Sequence, residues 1–217
     1  MGIIEGPKQI ENKIIQAILK KMETAKNPLF ANIENIKIEI SQVLQKSIID
    51  SDTFQSISND ILKRDFGLTE DVILIFTSNI ADLFSIEVDF KQVNKNNSKK
   101  IYKISIEVKE RDEDDPVING LINKTSYISK RSGESIRWLE WLLFYGEKVI
   151  NKSWKVYPKE GKGRSLMAVM ITGRSDFKFK VNKKYAGRYG NNFVSKALEA
   201  SKEDIEKIIR KYMNEST

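Results

Sequence analysis

The chain has 217 residues, of which 40% are hydrophobic, so it is long enough to form one medium-sized domain with a buried core. It contains no histidine and no cysteine, which excludes Ser–His–Asp and Cys–His nucleophile systems and argues against a zinc site. Its net charge of +7 favours partners that carry negative charge, and it contains no apolar run of the roughly 18 residues that predict a membrane span.

Four amphipathic helices are predicted in the first 82 residues. Apolar side chains recur every three or four positions over 10–22, 33–48 and 54–62, which is the spacing of one helical face. Gly67 is expected to end the third helix, because a left-handed cap costs glycine no steric clash. Thr69 is expected to cap the fourth helix with its hydroxyl group.

The hydrophobic period then changes from 3.6 to 2. Apolar and polar residues alternate over 84–91 and again over 102–109, with a polar loop over 94–100 between them. This alternation is typical of strands that bury one face, so the segment predicts a β-hairpin.

The segment after the hairpin mixes charged, irregular and helical signals. Residues 110–116 are predicted to form an acidic connection, and residues 117–130 a partly mobile loop. Residues 132–135 are predicted to open a helix through Leu143, which Gly146 ends.

Three strands and a last helix complete the predicted elements. The strands are expected around 149–157, 166–172 and 177–181, and an amphipathic helix over 191–213. The order indicates an α+β fold with N-terminal helices, an antiparallel sheet with a β-hairpin, and a long C-terminal helix. We interpret residues 1–82 as an N-terminal helical region and residues 83–217 as the α+β core of one folded unit.

The positive charge is concentrated in residues 146–190. This stretch contains twelve basic and three acidic residues, so its net charge of +9 exceeds that of the whole chain. Such a stretch is a candidate contact for phosphate or an acidic partner, and the simpler alternative is a solvated lysine-rich face.

Five segments carry a resemblance to a known family. They read RDFGL at 64–68, SGESIRWLEWLL at 132–143, RSLMAVM at 164–170, KYAG at 184–187 and NNFVSKAL at 191–198. A Ser-Gly helix start, followed by strands and by an Asn-Phe entry to a final helix, is similar to minor tail protein Z and related neck and tail-completion proteins of tailed bacteriophages.

The resemblance implies a structural virion protein with no catalytic residue and no cofactor. Proteins of this family form rings, which implies a homo-oligomer of six or twelve copies between the portal or adaptor and the tail, with packaged DNA in the channel. It further implies assembly in the host cytoplasm, a final location in the neck or tail of the virion, and no membrane partner.

Two groups of residues are candidate contacts of such a ring subunit. The candidates for contact with DNA or a partner are Lys159, Lys162, Arg164, Lys183, Lys184 and Arg188. The candidates for a subunit interface are Trp138, Trp141, Asp112, Glu113 and Asp114. The alternative for the two tryptophans is that both belong to the core, and acidic and basic segments of different subunits are expected to pair.

Two other functions are compatible with the sequence. Asp89, Glu107 and Lys109 lie on the polar face of the predicted hairpin, in the arrangement of restriction-endonuclease-like nucleases, where two carboxylates hold Mg²⁺ and a lysine positions water. The simpler reading of this triplet is a solvated strand face. Alternatively, the basic stretch binds nucleic acid without sequence preference, with its aromatic residues stacking on bases. Those aromatic residues are Trp154, Tyr157, Phe177, Tyr185 and Tyr189.

Overall fold

The computed structural model describes residues 32–95, 99–128, 135–146, 148, 154–158, 168–172 and 181–214. These residues form helices and short antiparallel sheets, which confirms the predicted α+β class. The predicted helix over 10–22 and most of the predicted strand over 177–181 lie outside the described residues. Among the described helices, none is both long enough and apolar enough to cross a membrane.

Four helices occupy the first part of the described chain. They are α1 (Ile33–Ile49), α2 (Asp52–Asn59), α3 (Ile61–Phe66) and α4 (Glu70–Ser78), and a 3-10 turn (Ile80–Leu83) follows them. The single helix predicted over 54–62 is therefore wrong, because the backbone of Asp60 is not helical (φ −135°, ψ −143°) and separates α2 from α3.

The predicted helix ends in this region are confirmed. Gly67 ends α3 in the left-handed conformation with φ 64°. The Thr69 hydroxyl accepts a hydrogen bond from the backbone N–H of Val72 at 3.4 Å and so caps α4.

The hairpin consists of β1 (Phe84–Lys95) and β2 (Lys99–Glu110) in antiparallel register. Phe84 pairs with Glu110 and Asp89 with Ser105, and the register is continuous from one end of the two strands to the other. Phe84, Ile106 and Val108 are buried, which confirms the prediction that this face of the hairpin is apolar and packs on the core.

Helix α5 (Pro116–Thr125) occupies most of the segment over 117–130 that was predicted to be a partly mobile loop. Residues 129 and 130 lie outside the described residues. The Asp115 carboxylate accepts a hydrogen bond from the backbone N–H of Val117 at 2.7 Å, and proline occupies the first turn, where its missing N–H is not needed. Ile118, Leu121 and Ile122 are buried. The loop prediction was wrong because Asn119 and Gly120, which are weak helix formers, lower the helix propensity of the segment, while burial of one face stabilises the helix.

The predicted helix start at residues 132–135 is also wrong. Ser135–Ile136 is a two-residue strand, β4, which pairs with β3 (Tyr127–Ile128). The helix begins at Trp138 as α6 (Trp138–Glu140), continues as a π-helical turn (Trp141–Tyr145), and is followed by Gly146.

The described chain ends in two helices that pack against α1, so the single helix predicted over 191–213 is corrected to two helices divided at Ser201. Strands β5 (Trp154–Pro158) and β6 (Ala168–Thr172) pair antiparallel, and α7 (Phe193–Ala200) and α8 (Lys202–Asn214) follow. The Tyr212 hydroxyl donates a hydrogen bond to the Glu39 carboxylate at 2.6 Å, which ties α8 to α1. One hydrophobic core includes residues from both ends of the described chain.

Candidate functional site

The segment before the C-terminal helices contains several residues of the family-like pattern, and Asn192 organises it. Its side-chain oxygen accepts hydrogen bonds from the backbone N–H groups of Val194 at 2.8 Å and Ser195 at 3.1 Å. The Ser195 hydroxyl in turn accepts from the Asn192 backbone N–H at 2.8 Å, which completes a capping box. The Asn192 side-chain amide donates to the carbonyl oxygens of Leu143 at 3.1 Å and Arg188 at 3.3 Å.

Gly146 and Gly187 allow the backbone at the end of the π-helical turn to approach the backbone of the segment before α7 closely. The Gly146 N–H donates to the Gly187 carbonyl at 3.2 Å. A Cβ atom at Gly187 would lie 2.3 Å from the Leu142 carbonyl oxygen and 2.6 Å from the Asn192 Cβ, so it would force backbone to move. A Cβ at Gly146 would lie 2.8 Å from the Trp141 carbonyl oxygen. We call Gly146, Gly187 and Asn192 the joint.

A buried carboxylate connects the hairpin to the joint. Glu110, the last residue of β2, is 6% exposed, and one of its oxygens accepts a hydrogen bond from the Gly190 N–H. Its second oxygen has no hydrogen-bond partner among the described residues. Burial raises the pKa of Glu110 to about 7, although polar interactions with Gly190, Asn192 and Ser195 act in the opposite direction.

Sequence reasoning missed Glu110, although the sequence contains a signal for it. The period of two that buries Ile106 and Val108 places Glu110 on the same face of β2. A carboxylate at a strand position where the alternation predicts an apolar side chain therefore indicates a buried acid.

The candidate basic contacts fall partly within the described residues. Lys183, Lys184 and Arg188 are exposed, and Lys184 forms an ion pair with Asp52 at 2.8 Å. The hydrogen bond to Asp52 raises the pKa of Lys184. Lys159, Lys162 and Arg164 lie outside the described residues.

The acidic connection after the hairpin forms a hydrogen bond within its own chain. Asp112, Glu113 and Asp114 are exposed, but the Glu113 carboxylate accepts a hydrogen bond from the Tyr145 hydroxyl. Tyr145 immediately precedes Gly146 of the joint, and Arg188 immediately follows Gly187, so acidic and basic segments both flank the joint.

Trp138 is corrected from an interface residue to a core residue. Its side chain is fully buried, its indole N–H donates to the Thr125 carbonyl at 2.9 Å, and its ring lies 5.4 Å from that of Phe76. A side chain with all of its surface covered by its own chain offers none to a neighbour. Trp141 is half-buried and packs 5.9 Å from Phe66, between ring centroids.

The candidate nuclease triplet forms part of an ion cluster on the polar face of the hairpin. Glu87 and Glu107 are directly opposite in register, and the Lys109 ammonium lies 3.2 Å from Glu87 and 3.9 Å from Glu107. The hydrogen bond to Glu87 raises the pKa of Lys109. Asp89 is exposed and diagonal to Glu107. Among the described residues, no group of three or more acidic side chains lies close enough together to hold a metal ion.

An open groove of about 720 Å³ lies between the end of α1, the start of α2, and α7. Lysines 46, 184 and 196 and aspartates 50, 52 and 204 line it in equal number. The groove therefore has no charge preference for an anionic or a cationic ligand.

The resemblance to neck and tail-completion proteins rests on the residue pattern of the five segments alone. No protein-family model, no curated protein and no solved structure matches the chain.

Proposed function

We propose that the chain is a structural subunit of a tailed-phage neck or tail-completion ring, without catalytic activity. The observation that carries the proposal is the joint, because residues of the family-like pattern meet there. Gly187 and Asn192 from two of those segments contact the end of the helix that a third segment forms.

The way in which the joint uses its residues supports an architectural role. The Asn192 amide engages two carbonyl oxygens, and its side-chain oxygen engages two N–H groups, all within the chain. Asn192 is 2% exposed. Its hydrogen bonds thus fix the orientation of α7 relative to the π-helical turn, which is what a rigid ring subunit needs.

Apolar residues on α4 and α5 provide a candidate subunit contact in place of Trp138. Leu74 is 65% exposed and Ile75 38% exposed on α4, and Val117 is 39% exposed on α5, which packs against α4. Glu70, Asp71 and Asp114 are exposed nearby in the chain. An apolar centre with a charged rim is the usual anatomy of a protein interface, and we assign it to a second copy.

Association of the purified chain tests this contact. Sedimentation velocity of Leu74→Glu and Val117→Glu should show a smaller assembly than the wild type, because a charge would be buried in an apolar interface. Ile38→Glu is the matched control, since Ile38 is 54% exposed on α1. If Ile38→Glu dissociates the assembly equally, or if neither α4 nor α5 variant changes it, the contact lies elsewhere.

A magnesium-dependent nuclease is the second candidate, and the hairpin register supports it. Asp89 lies diagonal to Glu107, and Lys109 follows on the same strand. DNA cleavage that requires Mg²⁺ and disappears in Glu107→Gln would establish this candidate and overturn the structural proposal. We expect no cleavage, because Lys109 bridges Glu87 and Glu107 and so compensates the charge that a metal would need.

A further inference from the structure

The Glu110 carboxylate is enclosed where three parts of the fold meet. Glu110 ends β2 and pairs with Phe84 at the start of β1, and α7 packs against β2. A tight turn over residues 188–191 supplies the N–H of Gly190 as hydrogen-bond donor to one carboxylate oxygen. The other oxygen is buried and has no hydrogen-bond partner among the described residues. The site therefore satisfies one oxygen of the acid and leaves the second one without a donor.

The turn over residues 188–191 is the part of this enclosure that moves at the lowest cost. Two backbone hydrogen bonds between Arg188 and Asn191, at 3.2 and 2.8 Å, close it. Arg188 and Asn191 are exposed, and Tyr189 and Gly190 are half-buried. Both β1 and α7 contribute buried apolar side chains to the core, so moving either of them would expose more apolar surface to water.

The two protonation states of Glu110 differ in how well they suit the closed turn. A neutral carboxyl group keeps the hydrogen bond from Gly190, because its carbonyl oxygen still accepts it. An ionised carboxylate places charge on an oxygen without a donor, and burying such a charge is costly. Water reaches that oxygen when the turn moves away. Ionisation therefore favours an open turn.

The charged groups around Glu110 leave burial as the main influence on its ionisation. Lys109 and Arg111 flank it in the chain, and their side chains pair with Glu87 and Asp115. Burial raises the pKa of Glu110 to about 7 against this background. The other titratable or charged side chains of the surrounding elements are exposed or half-buried: Asp82, Glu87, Asp89, Arg188, Tyr189, Lys196 and Glu199.

We propose that ionisation of Glu110 opens the turn over residues 188–191 while the helical core stays folded, so that this turn is a proton-controlled latch between the hairpin and α7. Opening releases a proton between the ordinary pKa of 4.5 and the folded value of about 7, so it becomes easier as the pH rises through this range. Opening also separates the Arg188 carbonyl from the Asn192 amide and so loosens the joint. The latch concerns contacts within one chain and does not depend on the ring.

Amide hydrogen exchange of the full chain, followed by NMR between about pH 5 and about pH 7.5, tests the latch. Protection factors, which correct for the intrinsic effect of pH on exchange, compare Gly190 and Asn191 with the buried Ile40 and Leu44 of α1. We expect protection in the turn to fall by about 50-fold over this range in the wild type. It should also stay at least about tenfold below that of α1 at every pH, because the turn opens locally.

Two variants assign the effect to Glu110. In Glu110→Gln the side chain stays neutral, so the protection of the turn should not change with pH. Asp112→Asn removes one exposed carboxylate close by in the chain and should behave as the wild type does. An equal pH dependence in Glu110→Gln, or its loss in Asp112→Asn, would assign the effect to another group and overturn the proposal.

The wild type alone also decides the matter if Glu110→Gln does not fold. The ¹³C resonance of the Glu110 carboxyl group should titrate at the pH where the protection of the turn levels off. Turn protection that is constant with pH, or that levels off at a different pH, would contradict the latch. Protection factors equal to those of α1 at every pH would show that the turn opens only when the whole chain unfolds, which would also overturn it.

Discussion

Glu110 and Gly190 are joined by a hydrogen bond from the backbone N–H of the glycine to the buried carboxylate. Gly190 has φ 74°, which favours glycine, and it sits in a turn that hydrogen bonds between Arg188 and Asn191 close. This contact connects the end of the hairpin to the segment that leads into α7. The titratable carboxyl group of Glu110 therefore lies between the hairpin and the segment that leads into α7.

The stability of the protein should fall as the pH rises from about 5 to about 8, because the pKa of Glu110 is about 7 in the folded chain and 4.5 is its ordinary value. Between these values the unfolded chain releases a proton that the folded chain keeps. The stabilising contribution is thus complete below the ordinary pKa and is lost as the pH rises through the folded pKa.

Glu110→Gln should remove most of this pH dependence. The variant stays neutral, so above the folded pKa it should be more stable than the wild type by up to about 3 kcal/mol. Urea unfolding of both proteins at acidic and at mildly alkaline pH measures the difference. Parallel pH profiles of the two proteins would show that Glu110 is not the group responsible. The flanking charges have partners elsewhere, Lys109 with Glu87 and Arg111 with Asp115.

Asn192→Ala should destabilise the protein by about 2 kcal/mol or more, because it removes the cap of α7 and takes the amide donor away from one buried and one partly buried carbonyl oxygen. Asn191→Ala, at an exposed position, is the control. Denaturant midpoints rank the variants, and equal midpoints for Asn191→Ala and Asn192→Ala would contradict the role of the joint.

Substitution by alanine should change the stability of the protein in opposite directions at Gly120 and at Gly187. A Cβ at Gly187 meets backbone at 2.3 Å, whereas a Cβ at Gly120 in α5 meets nothing within 4 Å. Gly120→Ala should stabilise α5 by about 0.5 to 1 kcal/mol, and Gly187→Ala should destabilise the joint or prevent folding. Thermal melts compare them, and a tolerated Gly187→Ala would contradict the close approach.

Local rules accounted for much of the fold. The hairpin register follows from two runs of alternating residues on either side of one polar loop. Gly67 ends a helix and Thr69 caps one through contacts with residues close to them in the chain. Asp60 separates α2 from α3 at a position where the apolar spacing continues. Helix α5 was missed because its propensity is low and its stability comes from burial of one face.

The candidate site was harder to predict, because its important residues depend on distant parts of the chain. Trp138 becomes a core residue only when Phe66, Phe76 and Thr125 surround it. Glu110 acquires its raised pKa from burial, and the alternation along β2 indicates the buried face without showing which parts of the chain cover it. The family-like pattern identified Asn192 as part of a motif, and only the packing shows which carbonyl oxygens it holds.

The central claim is that this chain is a ring-forming structural subunit of a phage neck or tail. An electron cryo-microscopy reconstruction of phage particles purified from a lysate of cells that carry the gene for this chain tests that claim most directly. The proposal predicts six or twelve copies in one ring at the junction of head and tail, with α4 and α5 at the contact between neighbouring copies. Particles that lack the chain, or that carry it as isolated single copies, would contradict the proposal.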